Sequence, residues 1–192
     1  MQEKLFEWIE QYLIITDAEK KALVDLDIFR SYPKGTVLLN QGERSRNEYF
    51  VLQGLLRRYF EKDGEEKTVE FYAEGEGVTP ICTVNGEPSD YSIATLEECT
   101  LIVSNSSMGA ILYERFPRFE TLCRLVSDDL ILKTQVIFDN FKSSTPEERY
   151  IHLLDKRPDL IQRVPQYQLA SFLGITPESL SRIRKRLTKY HE

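Results

Sequence analysis

The chain has 192 residues, 41% of them hydrophobic, and its 25 Lys or Arg against 31 Asp or Glu give a net charge of −6. This length suffices for one good core, or for a mid-sized domain with a small one beside it. Ten Phe and ten Tyr argue against a disordered chain. No apolar run of about 18 residues and no secretory leader are found, so we expect a cytoplasmic protein without a membrane partner.

Cysteine and histidine are too few and too scattered for a metal centre. The three cysteines, Cys82, Cys99 and Cys123, form no CxxC pair, and the histidines are His152 and His191. We therefore predict reduced thiols, with no disulfide framework, structural metal or iron–sulfur cluster. The motifs GxSxG and HExxH and a phosphate-binding glycine loop are also absent from the sequence, so we predict no catalytic residues and no enzyme activity.

The net charge conceals an asymmetry along the chain. Residues 146–192 carry nine basic and six acidic side chains, a balance of +3, which leaves −9 on the rest. Five basic residues and no acid lie between Arg182 and Lys189. A basic end on an acidic body indicates that this end alone approaches a polyanion such as DNA, although a basic run is also typical of a solvated helix face.

The first stretch, residues 3–27, is predicted to be helical, because apolar residues recur at helical spacing. They are Leu5, Trp8, Ile9, Tyr12 and Leu13. Thr16 or Asp17 is placed to cap a second helix. We expect both helices to pack against the domain that follows.

Residues 28–105 have the pattern of an antiparallel β structure. Short β-rich runs at 36–39, 49–52, 55–60, 68–72, 91–96 and 100–103 are separated by glycine-containing turns. Asp63-Gly64, between two of these runs, is a hairpin signal. Regular alternation of strands and turns predicts a sandwich or barrel-like roll.

Residues 106–142 return to helical spacing. Ser106 or Ser107 can cap a short helix that ends near Phe116, and Pro117 can begin a longer one. On the longer helix, apolar residues follow an a/d spacing at Cys123, Val126, Leu130 and Ile137. The apolar face is too broad for one contact, which predicts packing on the roll and on a second copy of the helix. An ordinary core helix accounts for it equally well.

The C-terminal stretch fits two short helices joined by a turn. A new domain begins near residue 143, where Ser144 or Thr145 can cap a helix. Further on, Ala170 supplies the small residue that two crossing helices need, and Gly174 supplies a positive φ between them. The apolar positions that point into a shared core are Leu169, Leu173, Ile175, Leu180 and Ile183. This combination predicts a helix-turn-helix, with a non-binding αα corner as the alternative.

The polar face of the second helix suits a DNA duplex. Thr176 can cap this helix and Pro177 can take its first position. Glu178 can accept a hydrogen bond from the cytosine amino group, and Arg182 can pair with guanine. We predict contacts with bases or phosphates from Gln166, Thr176, Glu178, Ser179, Ser181, Arg182, Arg184, Lys185 and Arg186.

The chain resembles the Crp/Fnr family of bacterial transcription regulators along nearly its whole length. The segments that carry the resemblance are Pro33–Glu43, Glu48–Gly54 and the recognition helix from Thr176 to Ile183. Glu178 and Arg182 match the two main base-contacting positions of the family. Pro177 stands where many members carry a third contacting residue, so the readout of bases here is expected to differ.

The resemblance implies an α+β fold in three parts. Residues 1–116 are then N-terminal helices with a cyclic-nucleotide-binding-like, double-stranded β-roll sensor domain. Residues 117–143 form a dimerisation helix, and residues 144–192 a helix-turn-helix DNA-binding domain. The resemblance further implies a homodimer on a two-fold symmetric operator of double-stranded DNA, RNA polymerase as a second partner, and a small-molecule effector that the sequence does not identify. Many relatives continue into a two-stranded wing, and without one we expect fewer phosphate contacts.

Cyclic-nucleotide-binding relatives hold the ribose with a Gly-Glu segment and the phosphate with an Arg-Ser or Arg-Thr pair. The corresponding effector-pocket positions here are Gly77, Val78, Thr79, Ser89, Asp90 and Tyr91. Loss of the phosphate-binding Arg from a poorly solvated pocket costs roughly several kcal/mol, which argues against cAMP. Arg57 or Arg58 can substitute only from inside the roll. Strand alternation puts just one of them there, and outside is the commoner place for Arg.

Two further effector chemistries lack ligands in this sequence. No Cys precedes Cys82, which argues against an oxygen-sensing iron–sulfur cluster, and no His lies in the roll, which argues against haem. The effector is therefore a small molecule in the roll, a redox event at a cysteine, or absent. The alternative function is a ligand-binding roll that has lost specific DNA recognition and works as an interaction protein.

Overall fold

The computed structural model describes residues 2–188. Lys189 of the basic run, His191 and the place where a wing would follow lie outside this part of the chain. The chain divides into two compact units. One contains the residues up to Arg58 and Phe71–Ile131, and the other contains Tyr59–Glu70 and the residues from Leu132 onwards. This division falls within the long helix, whereas the sequence places boundaries near residues 116 and 143. The three-part division stays a prediction.

Helices and strands alternate along the chain in three blocks. The helices are α1 (Gln2–Ile9), α2 (Asp17–Asp25), α3 (Ile81–Asn85), α4 (Ser106–Arg115), α5 (Arg118–Ser143), α6 (Pro146–Lys156), α7 (Pro158–Arg163), α8 (Gln166–Leu173) and α9 (Pro177–Thr188). The strands are β1 (Phe29–Tyr32), β2 (Val37–Leu39), β3 (Glu48–Gln53), β4 (Leu56–Lys62), β5 (Glu65–Tyr72), β6 (Gly77–Val78), β7 (Ser92–Thr95) and β8 (Cys99–Ser104).

The strands form two four-stranded sheets, in the orders β1-β8-β3-β6 and β2-β7-β4-β5. β8 lies antiparallel between β1 and β3, with Ile102 opposite both Phe29 and Phe50. Val51, Ile93 and Leu101 have no exposed surface, because alternate residues of each strand turn toward the core. The predicted antiparallel sandwich followed by a long helix is confirmed.

The sequence analysis did not predict the short elements of the roll, but it did predict one hairpin. β1, β6 and α3 have four, two and five residues, too few to show a period in the sequence. The hairpin between β4 and β5 is confirmed. Asp63 and Gly64 both have positive φ, 55° and 77°, as a type I′ turn requires.

A buried carboxylate joins the N-terminal helices to the start of α5. Thr16 caps α2 in a reciprocal capping box with Glu19, so the first of the two predicted caps is confirmed. Glu19 is 2% exposed and lies 3.7 Å from Nη1 of Arg118, whose Nη2 donates to the Ile14 carbonyl. Burial alone raises the pKa of Glu19, but the Thr16 hydrogen bonds and the Arg118 charge hold it below its ordinary value.

The N-terminal cap of α4 differs from the prediction. Asn105 precedes this helix, and its side-chain oxygen accepts from the backbone N–H of Met108 at 3.1 Å. Ser106 and Ser107 lie inside the first turn, so neither is the cap that the sequence suggested. Asn is as good a cap as Ser, which is why residue type alone did not separate the candidates.

Helices α6 to α9 share a small core. Thr145 caps α6 in a capping box with Glu148, and Pro146 takes the first helical position. Leu160 on α7, a helix that was not predicted, is 1% exposed. Within residues 2–188, no helix combines the length and the apolar character that crossing a bilayer requires.

Candidate nucleic-acid interface

The pair α8 and α9 is joined by a tight turn at Gly174. Gly174 has φ of +72°, a conformation that side-chain-bearing residues rarely adopt. Its N–H donates to the Ala170 and Ser171 carbonyls and that of Ile175 donates to the Ala170 carbonyl, which satisfies two carbonyls of the last turn of α8. Ala170 has no exposed surface, so the two helices approach each other where a larger side chain would not fit.

The N-terminus of α9 is capped as the sequence predicts. Thr176 Oγ1 accepts from the backbone N–H of Ser179 at 3.3 Å. Leu180 and Ile183 are buried at 1% and 7% exposure, which fixes the rotation of the helix. The opposite face is therefore in solvent, and it carries the exposed residues Glu178, Ser181, Arg182 and Lys185.

Glu178 and Arg182 lie one helical turn apart on that face. The pKa of Glu178 is lowered, first by the hydrogen bond from its own backbone N–H and then by the Thr176 hydroxyl and the Arg182 charge, so its carboxylate is ionised at neutral pH. Arg182 Nη2 donates to Ser179 Oγ at 3.2 Å. A shallow concavity lined by Pro177, Glu178, Ser181 and Arg182 lies between them. The face offers one carboxylate acceptor and one forked guanidinium donor.

The other residues predicted to contact DNA differ in how far their side chains are exposed and in whether they already have a partner in the protein. Gln166 is exposed at the first position of α8, Lys185 is exposed, and Arg184 is half-buried. Arg186 forms a two-point ion pair with Glu147 at the start of α6, with Nε 3.1 Å from Oε1. Arg186 therefore has a protein partner already, which the sequence did not suggest because the two residues are 39 positions apart.

Tyr167 is a surface aromatic residue that the sequence analysis missed. Its side chain is 60% exposed, and its hydroxyl accepts a hydrogen bond from Gln168 Nε2 at 3.1 Å. Tyr167 follows Gln166 at the start of α8. Its position next to a residue already predicted to contact DNA was the one sequence signal that could have identified it.

The predicted dimer residues on α5 fall into two groups. Cys123 is exposed and its sulfur accepts from the Tyr113 hydroxyl at 2.9 Å, while Val126 packs against the apolar cluster of α1, α2 and β8. Leu130 and Ile137 are each 52% exposed. Further apolar side chains exposed by 47% to 64% on the same helix are Ile131, Leu132, Val136, Phe138 and Phe141.

The predicted effector-pocket positions lie on a short strand and in loops. Gly77 and Val78 form β6, and Thr79 is exposed beyond it. Ser89 is buried, and its hydroxyl donates to the Tyr91 carbonyl at 2.7 Å, whereas Asp90 is exposed. Among residues 2–188, no three His, Cys, Asp or Glu side chains are grouped as metal ligands.

The two arginines of β4 differ in burial, and the expectation that only one of them points into the roll stays a prediction. Arg57 is 5% exposed, and Arg58 is half-buried with its guanidinium carbon 5.1 Å from the centre of the Tyr91 ring. Stacking on an aromatic face compensates the burial of the Arg58 guanidinium. A cationic side chain is thus present beside the predicted pocket positions.

Residues 29–108 match the family model described as the cyclic nucleotide-binding domain. A curated protein, the patatin-like phospholipase domain-containing protein 7 of Rattus norvegicus, is 31% identical over 90 residues. This match covers 45% of the chain and only 7% of that much longer protein.

Several solved structures have the same fold. The c-di-GMP responsive global regulator CLP of Xanthomonas campestris superposes with a TM-score of 0.67 at 19% identity, covering 89% of this chain and 93% of its own. FixK2 of Bradyrhizobium japonicum superposes at 0.63 with 17% identity, covering 85% of each chain. The catabolite activator protein of Thermus thermophilus superposes at 0.51 with 19% identity, covering 92% of this chain and 85% of its own. This chain therefore contains a region that matches the cyclic nucleotide-binding domain, within a fold similar to that of Crp/Fnr-type regulators.

Proposed function

We propose that this protein is a sequence-specific, DNA-binding transcription regulator of the Crp/Fnr type, without enzyme activity, and that α8 and α9 form its helix-turn-helix. The observation that carries the proposal is the division of α9 into two faces. Leu180 and Ile183 are buried while Glu178 and Arg182 are in solvent. An αα corner without a ligand has no need of a capped, exposed acceptor and donor one turn apart.

Readout would proceed by direct contact in the major groove. The ionised Glu178 carboxylate accepts from cytosine N4, and the Arg182 guanidinium donates to O6 and N7 of guanine. The Ser179 hydroxyl already accepts hydrogen bonds from Arg182 and Thr176. The role of Ser179 is therefore to orient the Arg182 side chain. Tyr167 and Gln166 at the start of α8 lie at the end of the helix pair where phosphates are bound in such motifs.

Dimerisation through α5 is the second part of the proposal. The apolar side chains of α5 that are about half exposed, from Leu130 to Phe141, form a larger apolar surface than monomeric proteins usually leave in water. A second copy of the same helix covers the side that carries Leu130 and Ile137, and it places two recognition helices on successive half-sites, about 34 Å apart. RNA polymerase and a small-molecule effector are partners that this type of regulator implies.

The roll is proposed not to respond to cAMP. Asp90 brings a negative charge to the position of a phosphate ligand, and Ser89 is committed to Tyr91. Arg58 is the available cation, but it is stacked on Tyr91. We expect no heat of binding in a calorimetric titration with cAMP, and micromolar affinity would contradict this part of the proposal.

The deciding experiment selects duplexes from genomic fragments with the purified protein and measures affinity for the enriched sequence by fluorescence anisotropy. Replacing Arg182 or Glu178 by Ala should cost about 1–3 kcal/mol per subunit on the selected operator. The control is Arg30→Ala, which removes an exposed, ion-paired arginine from β1 and should leave affinity unchanged. If the protein binds no duplex at any of the salt concentrations tested, a role as a ligand-binding interaction protein is favoured.

A further inference from the structure

One arginine of α6 holds the end of α5. Arg149 Nη1 donates to the carbonyl of Phe141 at 3.1 Å and to the carbonyl of Ser144 at 3.4 Å. The guanidinium carbon of Arg149 lies 4.3 Å from the centre of the Phe141 ring. The last carbonyls of a helix lack partners within it and attract cations, so this side chain satisfies α5 from the neighbouring helix.

The same group also borders the turn between α8 and α9. A methyl group built on Gly174 would lie 3.7 Å from Cζ of Phe141 and 3.9 Å from Nη2 of Arg149, which is ordinary van der Waals contact. The ring and the guanidinium therefore pack directly beside the Gly174 turn. We call the four residues Arg149, Phe141, Ser144 and Gly174 the Arg149 junction.

Side chains restrain the direction that α6 takes after α5: the capping box of Thr145 with Glu148 holds the start of α6, and Arg149 reaches back to α5. The two helices are joined through Ser144 and Thr145, and Thr145 has an extended backbone with φ of −68° and ψ of 161°. Rotation about such dihedrals is soft unless side chains restrain it. Arg149 spans this link, because it donates to the Phe141 carbonyl before the link and lies beside the Gly174 turn after it.

Arg149 is not placed to maximise its own hydrogen bonding. Its Nε is buried and has no hydrogen-bond partner, and an unsatisfied buried donor costs free energy. An apolar side chain of similar volume would avoid that cost while filling most of the same space. The planar guanidinium binds two carbonyls and stacks on a ring in one fixed orientation, which a hydrocarbon side chain cannot do.

We infer that Arg149 is a positioning residue that sets the angle between α5 and the α8–α9 pair. This inference rests on the proposed function. If α5 is the dimer axis, the angle at each junction determines the distance and the rotation between the two recognition helices. Arg149 then determines which half-site spacing the dimer accepts, without touching DNA.

The test compares duplexes that differ only in half-site spacing. Inserting one base pair between half-sites rotates one of them by about 34° and moves it by about 3.4 Å. Full-length protein is titrated by fluorescence anisotropy into a single half-site, the selected operator, and operators lengthened or shortened by one or two base pairs. Arg149→Met retains most of the side-chain volume and removes the fork.

Lys142→Met is the matched control. Lys142 Nζ lies 4.3 Å from the centre of the Phe138 ring, so it makes the same kind of cation–π contact near the same helix end, but within α5. We expect the wild type and Lys142→Met to prefer the selected spacing by at least about tenfold, as expected when a dimer loses correct register with one half-site. Arg149→Met should reduce this preference to within about threefold and leave half-site affinity unchanged.

Three outcomes contradict the inference. An unchanged spacing profile in Arg149→Met overturns it while leaving the proposed function intact. Equal losses on the half-site and on every operator indicate a merely structural role and also overturn it. Absence of wild-type binding to any duplex overturns the proposed function and this inference together. If Arg149→Met loses its helical circular dichroism, Arg149→Lys, which keeps the charge but not the planar fork, is judged by the same criteria.

Discussion

Removing the carboxylate that holds Arg186 should strengthen DNA binding. Arg186 on α9 is paired with Glu147 at the start of α6, with side chains 51% and 35% exposed. Exposed ion pairs of this kind contribute about 0.2–1 kcal/mol. In the wild type Glu147 therefore competes with a phosphate for Arg186, and removing this modest competition adds the phosphate contact.

The structure sets the size of the effect of Glu147→Gln. Two subunits each release one arginine, so the gain is about 0.4–2 kcal/mol per dimer, or roughly 2- to 30-fold in affinity. Each added phosphate contact steepens the dependence of log K on log salt by about 0.9, hence by about 1.8 for the dimer. The salt slope separates this mechanism from a general loss of negative charge, which raises affinity without adding a contact.

The assay is anisotropy on the selected operator across a salt series. Asp25→Asn, which frees Lys21 of α2 from a comparable exposed ion pair, is the control and should change neither the affinity nor the slope. If Glu147→Gln leaves both quantities at their wild-type values, Arg186 does not face phosphate and should be removed from the interface.

Three other substitutions test the fold and the dimer. Gly54→Ala should lower the melting temperature far more than Gly174→Ala. Both positions have positive φ, but a Cβ at Gly54 would lie 2.5 Å from Cys99 Sγ. The clash adds about 1–3 kcal/mol of overpacking to the about 1–2 kcal/mol of backbone strain. Equal changes in the melting temperature of the two variants would contradict this prediction. Glu19→Gln should remove stability at neutral pH. The lowered pKa of Glu19 means that its contribution is present above the ordinary value of 4.5 and is lost as the pH falls through the folded-state value, so wild type and variant should converge in acid unfolding. Ile137→Lys should give monomers in analytical ultracentrifugation, and a persistent dimer would move the interface away from α5.

Regular strands and capped helices could be predicted from the sequence because their signals are local. The hairpin at Asp63-Gly64 and the caps at Thr16 and Thr145 each rest on residue types within a few positions. The cap of α4 was wrong because Asn105 and the serines after it are nearly equivalent in propensity.

Contacts between distant residues were beyond the sequence. Nothing local to Arg186 indicates Glu147, and nothing local to Arg58 indicates that Tyr91 offers its ring face. The exposed positions of α9 were foreseeable because burial of Leu180 and Ile183 follows from helical periodicity. The hydrogen bond from Arg182 to the Ser179 hydroxyl on the same helix could not be predicted from the sequence.

The central claim is that Arg182 reads a guanine, and a double-mutant cycle across the interface tests it most directly. The guanine of the selected half-site is replaced by 7-deazaguanine, which lacks the N7 acceptor, and binding is measured for wild type and for Arg182→Ala. We expect the base change to weaken wild-type binding by part of the about 1–3 kcal/mol that the two-acceptor pair contributes, because O6 remains, and to leave Arg182→Ala unaffected. Equal losses in both proteins at every guanine of the half-site would contradict the account.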